Sequence, residues 1–344
     1  MPSAKAAAAF DTRPIRFEAN GLRLSGLLDT PADGVARGLV IFVHGYGGTD
    51  VVAGNWHYDL RSRFAAMGVS SLIWDKPGQG ESEGAFDIDQ PVESSAREVL
   101  AAAAWLRETG VPGHQSIGLW GISRAGWTAP LALAQDEALA FWISVSGVDG
   151  LESYGYLLET NWRLMGYGTE EIDRLLGQWR AGVAAVHAGD PADVYRAATR
   201  DYRADPFVRA LGGGTGEVTD AQYAAYQRQW RDAGHRIDPE TGLRIYVDGF
   251  DALLSRVRVP VLALFGAKDS SVDWQATRAL YEDTLGQGAD AALTIRVFPD
   301  GNHNLHVART GSYEEMIAQL GSHRMVDGYY DTITGWLDTV LEEG

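Results

Sequence analysis

Apolar residues fall along this chain in two rhythms. Short, mainly apolar runs occur at Leu39–Val43, Ser70–Trp74, Ser116–Trp120, Phe141–Val145, Val261–Phe265 and Leu293–Phe298; between them, at Ser94–Glu108 and Arg124–Gln135, apolar positions recur every three or four residues. The first rhythm predicts strands buried on both faces of a parallel sheet, and the second predicts the helices that cover it. Ahead of both, Pro14–Glu18 and Leu22–Leu28 flank Asn20-Gly21, a pair suited to a two-residue turn with positive φ, so an antiparallel hairpin should open the fold. The alternation of strand and helix is interrupted once, between Ser146 and Val261. That stretch is too long for a connection, is helical and amphipathic at Glu170–Val186 and Asp220–Asp232, and is broken by Gly212-Gly-Gly-Thr-Gly216. The expected class is α/β: a mostly parallel sheet flanked by helices, built from residues 1–147 and 251–344, with a mainly helical cap inserted at 148–250.

The run Ser116–Trp120 passes through Gly121-Ile-Ser-Arg-Ala-Gly126 straight into a helix. A serine on such a strand-to-helix turn sits in strained backbone, and small residues around it let strand and helix approach; Gly121, Ala125 and Gly126 meet this need, with Ala125 standing where glycine is commoner. Taken alone, a serine between glycines is more often an ordinary turn residue. Its neighbours change that. His44-Gly-Tyr-Gly-Gly48 follows the first parallel run, and its glycines allow the backbone to turn toward Ser123, so that the N–H groups of Tyr46 and Arg124 become the two expected oxyanion donors. A serine also needs a base, and the base an orienting acid. Asp269 lies just past Val261–Phe265 and His303 just past Leu293–Phe298; parallel strands end at one edge, so Ser123, Asp269 and His303 should converge there as the catalytic residues. Asp149 and Asp273 are the rival acids, with a surface carboxylate as their ordinary reading, and His306 is the rival base. His114, His187, His235 and His323 lie away from strand ends.

Composition narrows the function further. The net charge of -17 repels phosphate backbones and anionic lipid, so neither nucleic acid nor a membrane is an expected partner. The absence of cysteine removes disulfides, thiolate metal sites and a cysteine nucleophile. Asp11 and Arg13 interrupt the chain before a signal-peptide core can form, and no run reaches the ~20 apolar residues of a membrane span, so a cytoplasmic location is expected. No metal or cofactor motif is evident.

These segments resemble the α/β-hydrolase superfamily, in particular its capped serine esterases and its dienelactone-hydrolase-like and prolyl-oligopeptidase-type hydrolases. Asp75-Lys-Pro-Gly-Gln-Gly-Glu-Ser82 resembles the D-x-x-G-x-G-x-S loop of that superfamily, where a tight turn with Asp75 as a backbone cap is expected. The order Ser, Asp, His is also the superfamily's order. The resemblance implies a carboxylesterase that takes a small ester-like molecule and forms an acyl-enzyme on Ser123 without a cofactor. Lactone, thioester, amide and carbon–carbon bond hydrolysis by the same triad stay open, as does a silent binding protein on the same fold. Tyr154, Tyr156, Trp162, Tyr167, Trp179, Tyr223, Tyr226 and Trp230 in the insertion, and Trp56, His57 and Tyr58 after the glycine loop, are candidate pocket residues whose ordinary role is packing.

Overall fold

Asn20 and Gly21 adopt φ of 51° and 74°, the left-handed pair that a two-residue turn requires, and β1 (Phe10–Ala19) folds back on β2 (Leu22–Pro31) with Ala19 opposite Leu22. This is a computed structural model that describes residues 10–212, 217–232, 234, 236–285, 293–321 and 323–343; the start of the chain read above for a signal peptide, the glycine break at 213–216 and His235 lie outside the described residues. After the hairpin come β3 (Gly38–Val43), β4 (Val69–Trp74), β5 (Ile117–Ile122) and β6 (Leu139–Val145). An insertion carries the short pair β7 (Arg236–Ile237) and β8 (Arg244–Ile245), and the chain then returns to the sheet as β9 (Val261–Gly266) and β10 (Leu293–Phe298). The eight-stranded sheet runs β1-β2-β4-β3-β5-β6-β9-β10; contacts among the first three are antiparallel and the rest parallel. The parallel strands therefore share one C-terminal edge.

The sheet is covered on both faces, as its apolar runs require. Along β3, Leu39, Ile41 and Val43 pack with Val99 and Leu106 of helix Val92–Glu108 and with Ala129 of helix Ala125–Leu133. Val40 and Phe42 turn the other way, toward Leu60 and Phe64 of helix Tyr58–Ala66 and Ile333 and Leu337 of helix Tyr329–Glu343. Strand alternation thus feeds two apolar layers.

One charged pair is sealed under helix Tyr58–Ala66. Arg61 donates to Asp29 at 2.6 Å with both side chains fully buried; Thr12 and Ser71 also donate to Asp29, while Asn55 and the carbonyl of Trp56 accept from Arg61. Removing one partner strands the other charge away from water. Asp29→Ala is expected to cost about 3–5 kcal/mol in chemical denaturation; a loss below about 1 kcal/mol contradicts the buried pairing.

Between β6 and β9 the chain forms helices at Tyr154–Leu164, Thr169–Ala188, Ala192–Ala198, Arg200–Ala204, Pro206–Gly212, Asp220–Asp232 and Phe250–Leu254. Leu158, Trp162, Ile172, Leu175 and Phe207 form an apolar cluster belonging to this segment. Its two ends are tied together: Leu151 pairs antiparallel with Ile245, and the N–H of Glu152 donates to the carbonyl of Arg244 at 2.9 Å. No described helix is long and apolar enough to cross a membrane.

Candidate active site

Ser123 sits between β5 and helix Ala125–Leu133 with φ of 56°, a left-handed conformation that costs a non-glycine residue on the order of 1–3 kcal/mol. The turn is held at both sides: the N–H of Ser123 donates to the carbonyl of Val145 at 2.9 Å, and its carbonyl accepts from Gly126 at 2.7 Å. The need for small neighbours is measurable. A Cβ on Gly121 would come 2.5 Å from the methyl of Ala125, and one on Gly126 would come 2.8 Å from the nitrogen of Val148. Ala125 is tolerated because Gly121 leaves room for its methyl.

Asp269 and His303 arrive from the ends of β9 and β10. Their loops cross at Gly266, where a Cβ would lie 2.4 Å from the carbonyl oxygens of both Gly301 and Asn302. Here His303 Nδ1 is 2.8 Å from Asp269 Oδ2, while Asp269 Oδ1 accepts from the N–H groups of Ser271 and Val272 at 2.8 and 3.0 Å. A carboxylate can only accept, so Nδ1 carries the proton of the neutral ring and Nε2 keeps its lone pair. Burial lowers the His303 pKa, but the charge and hydrogen bond of Asp269 outweigh it and hold the imidazole above its ordinary value. Asn302 braces the loop, accepting from the N–H groups of Asn304 and His306 and donating to Gln319.

The rivals occupy other places. Asp273 caps helix Trp274–Thr284, accepting from Gln275 and Ala276. Asp149 accepts from the N–H of Leu151, and its carbonyl accepts from the Trp127 indole. His306 stacks on His323 with ring centroids 3.9 Å apart. The loop His44–Gly48 does lie against the serine: a Cβ on Gly45 would be 3.8 Å from Ser123 Cβ, and Gly47 turns with φ of 86°. Asp75 caps the backbone as expected, accepting from the N–H of Val51 at 2.6 Å.

Ser123, Arg124, Tyr46 and His303 border one cavity of 490 Å³ that runs up into the insertion. Of the aromatic candidates, Tyr154, Trp179, Tyr226 and Trp230 line it; Trp162 and Tyr223 pack in apolar clusters instead, and His57 stacks on Phe42. Several lining residues were not singled out from the sequence. Arg244 pairs with Glu152 at 3.3 Å and lies over the rings of Trp230 and Tyr246 at 4.7 and 4.9 Å, and Tyr246 stacks on Trp127 at 4.2 Å. The Tyr46 phenol donates to Asp89 at 2.7 Å, and burial, helped by Tyr246 and this carboxylate, pushes its pKa upward. The available signal was position: Glu152 and Arg244 flank the two ends of the insertion.

Residues 20–303 match the peptidase family described as X-Pro dipeptidyl-peptidase (S15 family), which is most of the chain. The chain belongs to this family. Its fold is of the α/β-hydrolase type. Within curated relatives, this S15-family chain is 31% identical over 127 residues to the thiohydrolase aneE of Aspergillus aculeatus, covering 37% of this chain and 38% of that protein. It is 28% identical over 130 residues to the quorum-quenching protein AidA of Acinetobacter baumannii, covering 38% of this chain and 42% of that one. The chain thus aligns with about two fifths of the length of these relatives. Among solved structures, the α/β hydrolase GrgF of a Penicillium species superposes with a TM-score of 0.53 at 17% identity, over 97% of this chain and 98% of that one, a likeness of fold.

Proposed function

We propose that this protein is a serine hydrolase that cleaves small carboxylic esters through an acyl-enzyme on Ser123. The observation that carries this reading is His303, hydrogen-bonded to Asp269, which borders the same cavity as a serine held at φ of 56°. In this mechanism His303 Nε2 takes the proton of Ser123 as the oxygen attacks the ester carbonyl. Asp269 holds the ring in the tautomer that can accept it and balances the imidazolium charge. The N–H groups of Tyr46 and Arg124 receive the oxyanion, each being worth roughly 3 kcal/mol of transition-state stabilisation. The imidazolium then protonates the leaving alcohol, and water repeats the sequence to release the acid.

Residues 148–250 act as a cap in this reading. A cavity of 490 Å³ with aromatic walls fits a small, largely apolar acyl or alkoxy group. A screen of p-nitrophenyl esters of graded chain length beside thioesters, lactones and aminoacyl amides tests it. Turnover of esters above the other classes supports the reading; preferential turnover of a thioester favours the second reading, for which the relative named a thiohydrolase speaks. Trp179→Ala enlarges the cavity, so the preferred acyl chain is expected to lengthen by about two or more carbons at roughly 0.8 kcal/mol per methylene buried; an unchanged rank order contradicts a cap that sets chain length.

The pH dependence has a defined sign. Only neutral His303 can act as base, and Asp269 holds its pKa above 6.5, so kcat/KM is expected to rise with pH along an acid limb centred above that value. A limb centred near pH 5 contradicts the role assigned to His303.

A further inference from the structure

We propose that Lys76 is a positioning residue for this reaction: it aims and polarises the Gly45–Tyr46 peptide, whose N–H is one of the two oxyanion donors. Lys76 follows Asp75 at the end of β4, and its ammonium donates to the carbonyl oxygens of Gly45 at 2.7 Å and Gly47 at 2.6 Å. Its own N–H donates to Thr49 Oγ1 at 2.9 Å, so the lysine is braced from its backbone outward. The two carbonyls it grips belong to the residues on either side of Tyr46, in the loop that lies against Ser123. No cis peptide bond occurs among the described residues, and a planar trans peptide points its N–H opposite to its C=O. Fixing the oxygen of Gly45 on Lys76 therefore points the N–H of Tyr46 away from Lys76.

Lys76 does not border the cavity proposed to hold substrate. It borders a small cavity with His44, Glu98 and Arg124, whereas Ser123, Tyr46 and His303 border the large one. It acts through the peptide and does not touch the reacting atoms. A cation hydrogen-bonded to an amide oxygen draws electron density from the amide nitrogen and makes its N–H a stronger donor, an effect that a buried site enhances. The same arrangement explains why an ammonium is buried beneath a glycine loop: it has three N–H bonds to place, and two go to carbonyls that a tight turn leaves unpaired.

The charged and titratable groups around it are His44 on the loop, Glu98 from helix Val92–Glu108 and Arg124 at the serine turn. Burial and Arg124 lower the Lys76 pKa to about 8, against the pull of Glu98, and burial with Lys76 holds His44 neutral. Lys76 is therefore charged below about pH 8 and loses that charge above it. Polarisation of the donor peptide weakens over the same interval.

The inference rests on Ser123 as nucleophile, and the test separates the two. Wild type, Lys76→Met and Lys76→Arg are first labelled with a fluorophosphonate and compared by thermal melting. Then kcat and KM for p-nitrophenyl acetate are measured across pH 6–10, with the affinity of phenylboronic acid, which mimics the tetrahedral adduct, taken at pH 7. Lys76→Met is expected to lower kcat by about 100-fold with KM within about twofold, and to weaken the boronate by a similar factor. Wild-type kcat should fall above about pH 8, a limb that Lys76→Met lacks, while Lys76→Arg restores at least a tenth of the lost rate. A kcat for Lys76→Met within threefold of wild type, or a loss confined to KM, overturns the proposal. Should Lys76→Met fail to fold, Lys76→Gln takes its place under the same criteria: a kcat within threefold of wild type, or a loss confined to KM, overturns the proposal. Failure of wild-type Ser123 to label sinks the hydrolase reading itself.

Discussion

Ser123→Ala is expected to reduce kcat for an ester substrate by roughly 10⁶-fold while leaving the fold intact. The size of the loss follows from what the hydroxyl does alone: no neighbouring side chain can form the acyl-enzyme in its place, and the remaining rate is that of water attacking a bound ester polarised by the oxyanion donors. The stability change should be small and of either sign. Alanine loses nothing that holds the turn, because the hydrogen bonds of the serine turn run through its backbone N–H and carbonyl. Replacement by alanine still leaves a Cβ at φ of 56°, so the backbone strain stays as it was. A residual activity above about 1% of wild type, measured on protein free of the parent enzyme, contradicts Ser123 as nucleophile.

Asp269→Asn should lower kcat by about 10⁴-fold with a normal melting temperature, and its cause is a proton in the wrong place. Asp269 Oδ1 accepts from two backbone N–H groups and Oδ2 from His303. An asparagine keeps the backbone pair satisfied by placing its oxygen there, which turns its NH₂ toward His303 Nδ1. That nitrogen must then accept, the ring proton moves to Nε2, and the base can no longer take a proton from serine. Asp269→Ala should be as inactive but less stable, because Ser271 and Val272 lose their buried acceptor at a cost of about 1–3 kcal/mol. Activity of Asp269→Asn within tenfold of wild type contradicts the assigned role and returns Asp149 to consideration.

Much of this arrangement was legible in the chain because it depends on local rules. A parallel sheet announces itself by runs buried on both faces, and its strand ends share an edge, so Asp269 and His303 could be matched to Ser123 across long separations. Asn20-Gly21 names its own turn. The limits were equally physical. β1 begins at Phe10, earlier than expected, since Asp11, Thr12 and Arg13 face solvent and carry no apolar signal. Charged residues in a sequence read as surface, so Asp29, Arg61 and Lys76 gave no hint of burial: each is held by at least one partner 27 or more residues away, whose arrival is a property of the tertiary fold. Arg244 and Glu152 meet across 92 residues for the same reason. Aromatic spacing in the insertion could not separate Trp162, which packs inside a helical cluster, from Trp179 and Trp230, which also reach the cavity.

The coupling proposed through Lys76 extends the same logic. The D-x-x-G-x-G-x-S loop is a turn by its glycines, and the residue after its aspartate is unconstrained by that turn. Here it is a lysine long enough to reach the neighbouring glycine loop. A shorter residue at this position would leave the Gly45 and Gly47 carbonyls without this donor.

The central claim, a nucleophilic Ser123 activated by His303, is tested most directly by treating the native protein with a fluorophosphonate and locating the adduct by peptide mass spectrometry. Stoichiometric modification of Ser123 alone, abolished in heat-unfolded protein and slowed at least 100-fold by His303→Ala but not by His306→Ala, is the expected result. An unmodified Ser123 in folded protein, or equal labelling of the His303→Ala variant, contradicts it.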